Sequence, residues 1–211
     1  MPLDRPLYPV SLVLHGRRCL VVGGGAVAAR KADGLVSAGA DVHVVARRVG
    51  AEVRGLPGVT WEERDFDPAD VTGFLLVFAA TGDPAVNAAV SAAGEAAGIW
   101  VNAADDPAHC SFTLPAVARR GPLTVAVSTG GHSPALAGWL ARLLADQLGP
   151  EHEVLARLLS EERDAIRRSG RSTEGLNWQA ALDSDMLDLI RAGQVQQAKE
   201  RLQACLSSSS V

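Results

Sequence analysis

The stretch CLVVGGGAVA, residues 19–28, decides the fold of this chain. Its apolar run is of the strand type, and it breaks into three consecutive glycines before helix-forming alanine and valine. Gly23-x-Gly25-x-x-Ala28 is therefore the strand–turn–helix form of the dinucleotide fingerprint, with alanine in place of the last glycine. Glycines let a pyrophosphate approach the backbone, and the N-terminus of the following helix favours its negative charge. The predicted nucleotide-binding glycines are Gly23, Gly24 and Gly25.

The sequence on either side of this stretch extends it into a parallel sheet. A helical pattern ends at Gly39, and DVHVVA, residues 41–46, alternates like a second strand. Strand, helix and strand make a βαβ unit, whose crossover is almost always right-handed. FLLVFAA, residues 74–80, is a continuous apolar run, which is typical of a parallel strand covered on both faces. Further strands are predicted at residues 59–64 and 99–102.

The pattern changes after about residue 105. Residues 111–120 and 122–127 resemble two strands joined at a glycine, with no helix between them. Ser133 and Pro134 are typical of a helix start, and the rest of the chain is helical in character with mixed charge. The fold class is therefore predicted to be α/β, a Rossmann-type parallel sheet domain followed by a small α+β region and a helical C-terminal domain.

Composition bounds the classes of function. The chain of 211 residues has 47% hydrophobic residues and a net charge of −4, so nothing general favours nucleic-acid binding. No run is long and apolar enough to span a membrane, and no export signal is recognisable at the N-terminus. The three cysteines are odd in number and scattered, which argues against a disulfide framework. We therefore expect a cytoplasmic protein with neither nucleic acid nor membrane as partner.

The end of the second strand leaves the choice of dinucleotide open. NAD-binding sites usually carry an acidic residue there, which holds the ribose hydroxyls. This chain instead has Arg47 and Arg48, which taken alone favour the 2′-phosphate of NADP or form a solvated turn. Thr81 and Asn102 end two further strands at the same carboxyl edge, where open α/β sheets bind ligands. The residues therefore indicate a dinucleotide without distinguishing NAD from NADP.

Four motifs together carry a more specific resemblance. They are VVGGGAVAARKADGLVSAGA at residues 21–40, AATGDPAVN at 79–87, NAADDPAHCSFTLPA at 102–116 and PLTVAVSTGGHSPALA at 122–137. In this order they resemble the precorrin-2 dehydrogenase family, the N-terminal module of siroheme synthases. The resemblance implies NAD-dependent oxidation of precorrin-2 to sirohydrochlorin, with insertion of ferrous iron as an additional step in some members. It also implies a homodimer whose middle strands and helices interlock. The implied division is 1–112 for the NAD-binding Rossmann domain, 113–149 for the dimerisation region and 150–211 for the helical domain.

The resemblance also assigns roles to the cofactor residues. It places nucleotide contacts on Ala26, Val27, Arg47 and Arg48, and since family members often lack the acidic residue and still use NAD, it favours NAD. It matches Asp105 to the family's important aspartate, a general base for proton removal beside the nicotinamide. From the residues alone, Asp-Asp-Pro is good turn chemistry, and the adjacent Asp106 is an alternative base.

The highly anionic tetrapyrrole implied as substrate requires donors or positive charge. Backbone N–H groups and hydroxyls of a glycine-rich loop before a helix can donate hydrogen bonds to carboxylates, and two neighbouring arginines are suited to bind them. The predicted substrate residues are Ser128, Thr129, Gly130, Gly131, His132, Arg119 and Arg120. No histidine or cysteine spacing predicts a metal site, so iron would be a substrate. Two alternatives stay open: a sirohydrochlorin chelatase with a vestigial nucleotide site, and a non-catalytic nucleotide-sensing module.

Overall fold

A computed structural model describes residues 6–104 and 106–207 of the chain. The chain divides into two units. Unit 1 comprises Met1–Leu114 with Gly130–His132, and unit 2 comprises Pro115–Thr129 with Ser133–Val211. The three-part division predicted from the sequence stays a prediction beside this two-unit partition.

Unit 1 contains a five-stranded parallel sheet. Its strands are β1 (Arg18–Val22), β2 (Asp41–Ala46), β3 (Val59–Glu63), β4 (Leu76–Ala79) and β5 (Trp100–Ala103), in the order β3-β2-β1-β4-β5. The chain winds outward from β1 to β3 on one side and then crosses to β4 on the other, where Val22 pairs with Ala79. The strand order therefore reverses between β1 and β4, which in open α/β sheets is where the ligand crevice forms.

Helices cover the two faces of this sheet. Unit 1 has α1 (Ala26–Ser37), α2 (Ala51–Arg54) and α3 (Pro84–Ala96), with 3-10 turns at Pro68–Val71 and Pro107–His109. Alternate residues of β1 pack in two different hydrophobic cores, one on each face of the sheet, because successive side chains of a strand point to opposite faces. Val21 packs in the core that contains the buried alanines of α1, whereas Leu20 packs in the core that contains Val90 of α3.

Unit 2 begins with an antiparallel hairpin of β6 (Ala116–Arg120) and β7 (Leu123–Val127), followed by α4 (Pro134–Asp146). The predicted start of α4 is confirmed, since the Leu136 N–H donates to Ser133 Oγ at 3.2 Å. The predicted strand over 111–120 is wrong for its first five residues. Ser111 instead bonds to the edge of β5, its N–H donating to the Val101 carbonyl at 2.8 Å.

The rest of unit 2 is helical, as predicted. It consists of α5 (Pro150–Arg168), α6 (Trp178–Leu182), α7 (Met186–Arg191) and α8 (Val195–Ser207). Leu158, Met186 and Leu202 are among the residues of its own buried core. Within the described ranges, no helix combines the length and the apolar character that crossing a membrane requires. The predicted α/β class, a Rossmann-type parallel sheet with a small antiparallel pair and a helical region after it, is confirmed.

Candidate functional site

A cavity of about 890 Å³ opens at the carboxyl ends of β1, β2 and β4. This volume lies in the range of small-molecule and cofactor pockets. The cavity collects most of the cofactor residues predicted from the sequence, because parallel strands end at one edge of the sheet. The predicted residues that line it are Gly23, Gly24, Gly25, Ala26, Val27, Arg47, Arg48 and Thr81.

The three glycines have different physical reasons to lack a side chain. Gly23 has φ +129°, and a Cβ there would lie 2.3 Å from the Ala80 carbonyl oxygen at the end of β4. A Cβ on Gly24 would lie 2.0 Å from the Arg48 carbonyl oxygen. A Cβ on Gly25 would meet no atom within 4 Å. Packing therefore requires the first two glycines, whereas the third leaves open space in front of α1.

The N-terminus of α1 is suited to an anion. Gly25 is its N-cap and supplies no side-chain acceptor for the first N–H groups, while Ala26 and Val27 of the first turn line the cavity. Unsatisfied N–H groups and the helix dipole attract negative charge at such an end. The N-terminus of α3 is not open to an anion in this way, because the Asp83 carboxylate already accepts from the Ala85 N–H at 2.9 Å. The residues present thus fit the pyrophosphate of a dinucleotide at α1.

Two arginines follow β2, and one of them is paired. The exposed Arg47 donates to the Asp65 carboxylate, and this hydrogen bond and charge raise the pKa of Arg47 above its ordinary value. Asp65 also lines the cavity and comes from the segment after β3. Within the described residues the Arg48 side chain forms no hydrogen bond and no ion pair. Its charge adds to the Val49 N–H and Arg54 in lowering the pKa of Glu63. Asp65 was missed from the sequence, although the adjacency of parallel strands β2 and β3 offered a signal for it.

The turn after β4 is held by a side chain that sequence reasoning also missed. Asn87 of α3 accepts from the Thr81 N–H at 3.1 Å and donates from Nδ2 to the Thr81 carbonyl at 3.2 Å. The Thr81 hydroxyl lies 2.7 Å from Asn87 Oδ1 and also accepts from the Asp83 N–H at 3.1 Å. This network fixes the backbone at the floor of the cavity, next to the glycine turn of β1.

The structure does not bring Asn102 to the cavity. Its side chain is 7% exposed, and its amide donates to the Phe112 carbonyl at 3.0 Å, so it supports the chain beyond β5. Asn102 is not among the residues that line the cavity, and its expected role at the ligand-binding edge stays a prediction. Asp105, the predicted base, lies outside the described residues. Asp106 is described, and its carboxylate pairs with His109 Nδ1 at 2.7 Å.

The predicted substrate residues are not among the residues that line this cavity. Arg119 and Arg120 are exposed on β6, next to a turn at Gly121. In the loop before α4, Gly130 and Gly131 have φ of +60° and +83°, which glycine adopts readily. Thr129 Oγ1 closes this loop by accepting from the Ser133 N–H at 3.1 Å. Ser128 and His132 are exposed. The role of these residues in substrate binding stays a prediction.

Comparison with known proteins places these features in a family. Residues 10–116 match the family model described as "Putative NAD(P)-binding", and residues 120–147 match the model described as "Sirohaem biosynthesis protein central". These matches confirm the prediction of a nicotinamide dinucleotide as cofactor.

Among curated relatives, a siroheme synthase of Nitrosomonas eutropha is 38% identical over 96% of this chain and 44% of its own length. Siroheme synthase 1 of Yersinia enterocolitica is 39% identical over 94% of this chain and 43% of its own length. The chain thus spans less than half the length of these relatives. A solved structure, "SirC, precorrin-2 dehydrogenase", is 28% identical with a TM-score of 0.66, over 94% of this chain and 98% of that one.

The family models together span the glycine turn, the cavity strands and the loop before α4. The predicted resemblance, which was drawn from motifs in those same segments, is confirmed. The chain therefore belongs to the NAD(P)-binding family of sirohaem biosynthesis proteins, the family of precorrin-2 dehydrogenases and siroheme synthases.

Proposed function

We propose that this chain oxidises precorrin-2 to sirohydrochlorin with NAD as the hydride acceptor. The observation that carries the proposal is the dinucleotide cavity at Gly23–Gly25, present in a chain that aligns over 98% of a precorrin-2 dehydrogenase. Removal of two hydrogens from the tetrapyrrole sends a hydride to the nicotinamide ring and a proton to a base. The bound cofactor supplies only the hydride acceptor, and the chain must supply orientation and the base.

The described residues support this binding and orientation of the cofactor. The free N–H groups at the start of α1 bind the pyrophosphate, and the open space in front of Gly25 lets it approach the backbone. Thr81, held in place by Asn87, borders the same cavity at the end of β4. We assign the base to Asp105 on the strength of the family resemblance. A positioned general base contributes about 10²–10⁴-fold to the rate.

The substrate's carboxylates require a second set of groups. We assign them to the Ser128–His132 loop and to Arg119 and Arg120, whose guanidinium groups suit bidentate carboxylate binding. Both arginines are exposed, and the hydrogen bond from the Ser133 N–H to Thr129 Oγ1 lies within the loop. Ferrous iron, where it is inserted, enters as a second substrate of the same macrocycle.

A homodimer is part of this proposal. Large apolar side chains of α4 are exposed in the single chain: Leu136 is 46%, Trp139 is 53% and Leu143 is 43% exposed. Exposed apolar patches of this kind mark interaction sites. They support the assignment of residues 113–149 as a dimerisation region, and light scattering at micromolar concentration tests it.

We also expect the protein to work in the cytoplasm, because its three cysteines are scattered and do not form a disulfide framework.

The experiment follows NADH formation and the macrocycle absorption spectrum in the same cuvette, with precorrin-2 and NAD as reactants. The variant Asp105→Asn should abolish dehydrogenation while NAD affinity, measured by calorimetry, stays nearly unchanged. Asp106→Asn is the matched comparison, since it neutralises the adjacent carboxylate. Loss of turnover in the second variant and not the first would move the base to Asp106. Ferrous iron added afterwards tests the chelatase alternative, and NAD binding without any macrocycle change would favour the sensing module.

A further inference from the structure

We propose that Asp65 gives this site its preference for NAD over NADP, by occupying Arg47 and by presenting a carboxylate to the adenosine ribose. The inference rests on the proposed use of NAD and deepens it. It concerns the end of the cavity formed after β2 and β3, away from the redox chemistry. None of the motifs read from the sequence includes Asp65.

The register of the sheet explains why Asp65 arrives there. β2 ends with Ala46 paired to Glu63 of β3, and the pairing continues one step further, with the Arg64 N–H donating to the Ala46 carbonyl at 2.9 Å. Continued by one residue, this register sets Arg64 opposite Arg47, and Asp65 is the residue after Arg64. Asp65 therefore leaves the end of β3 one residue beyond Arg47, close enough for the two side chains to form an ion pair. An acidic group is thus delivered to the end of β2 by the neighbouring strand, at a place where β2 itself carries arginine.

The other charged groups around this position are committed elsewhere. Arg64 is held by Asp70 through two hydrogen bonds of 2.6 and 2.8 Å, and by Glu62 at 2.6 Å. Glu63 accepts from the Val49 N–H at 2.8 Å and from Arg54 at 2.7 Å. Arg64 and Glu63 therefore have their hydrogen-bond partners in the framework of the protein. The charged side chains left to interact with a ligand at this end of the cavity are the Arg47–Asp65 pair and Arg48.

This arrangement discriminates between the two cofactors through charge. A carboxylate accepts hydrogen bonds, so it suits a ribose hydroxyl and repels a phosphate in the same place. Arg47, which would otherwise bind that phosphate, is paired with Asp65. Arg48 then faces the ligand alone, while a 2′-phosphate is best bound by bidentate or paired guanidinium groups. Asp65 thereby performs the task that an acidic residue at the end of β2 performs in other NAD sites.

The test uses two fragments that differ only in the 2′-phosphate, ADP-ribose and 2′-phospho-ADP-ribose. Neither contains nicotinamide, so their binding is independent of dehydrogenase activity. In the variant Asp65→Asn we expect affinity for the phosphorylated fragment to rise about tenfold and affinity for ADP-ribose to fall severalfold, as measured by calorimetry at low ionic strength. Glu95→Gln is the matched control, because Glu95 is exposed on α3, does not line the cavity and carries the same charge.

A second substitution identifies the mechanism. Adding Arg47→Ala to Asp65→Asn should remove most of the gain in affinity for the phosphorylated fragment, since the gain depends on the released guanidinium. Asp65 and Arg47 have side chains 74% and 72% exposed, so both variants should keep the melting temperature of the parent protein. An unchanged ratio of the two affinities in Asp65→Asn overturns the inference while leaving the proposed reaction intact. Failure of the parent protein to bind either fragment overturns both.

Discussion

Adjacent glycines at the start of α1 should fail in different ways when each is replaced by alanine. In Gly24→Ala the new Cβ lies 2.0 Å from the Arg48 carbonyl oxygen and 3.0 Å from Ala46 Cβ, so the segment after β2 must move. Gly25 has φ −92° and ψ −172°, which alanine adopts without strain, and its Cβ meets nothing within 4 Å. The first variant should therefore lose stability, and the second should lose the cofactor.

The expected changes in stability follow from the cost of overpacking in Gly24→Ala and from the backbone entropy and the helix cap in Gly25→Ala. Overpacking against fixed backbone costs about 1–3 kcal/mol, which for a protein of this size lowers the melting temperature by roughly 2–12 °C. In Gly25→Ala, the lower entropy of the unfolded chain stabilises by about 0.4–1 kcal/mol. The poorer N-cap of alanine offsets this gain, so stability should stay within about 1 kcal/mol of the parent. NAD affinity should nevertheless fall at least tenfold, because the methyl group occupies the space through which the pyrophosphate reaches the N–H groups of α1.

Thermal melting and calorimetric titration with NAD on the same three samples check this pair. Each variant serves as the control for the other, since both make the same chemical change one residue apart. Parent-like NAD affinity in Gly25→Ala would refute the placement of the pyrophosphate in front of α1. An unshifted melting temperature in Gly24→Ala would mean that the turn relaxes around the new methyl group.

Two further predictions concern the framework of the cavity. Burial opposes ionisation of Asp70, but the hydrogen bonds from Arg64 and the Asp67 N–H outweigh it and lower the pKa of Asp70. The stabilisation of the folded state by ionised Asp70 is therefore fully present above the pKa that Asp70 has in the unfolded chain. It is lost as the pH falls through the lower pKa that Asp70 has in the folded protein. The difference in unfolding free energy between the parent and Asp70→Asn should be constant near neutral pH and should shrink below about pH 4 in urea titrations. Asn87→Ala leaves the Thr81 N–H and carbonyl without their partner, which should cost about 1–3 kcal/mol in the same measurement and weaken NAD binding.

Much of this framework was predictable because it depends on short-range patterns. The apolar run before Gly23, the helix pattern after it and the period of the later strands specify β1, α1 and a parallel sheet, since each element is encoded by neighbouring residues. The carboxyl edge as the ligand side then follows from the rule for open sheets. Prediction was weaker where a residue's partner lies far along the chain. The sequence predicts that residues 111–115 begin the strand that runs to residue 120, but Ser111 bonds to β5 instead.

The sequence by itself thus determined the strand–turn–helix unit, the order of elements, the family and the existence of a dinucleotide site. Only the tertiary structure decided what individual polar side chains do within it. It turned Asn102 away toward Phe112, brought Asn87 under Thr81 and set Asp65 beside Arg47. The physical reason is that a local pattern fixes which face of an element is buried. A hydrogen bond or ion pair between distant residues depends on the register and packing of elements that the pattern does not specify.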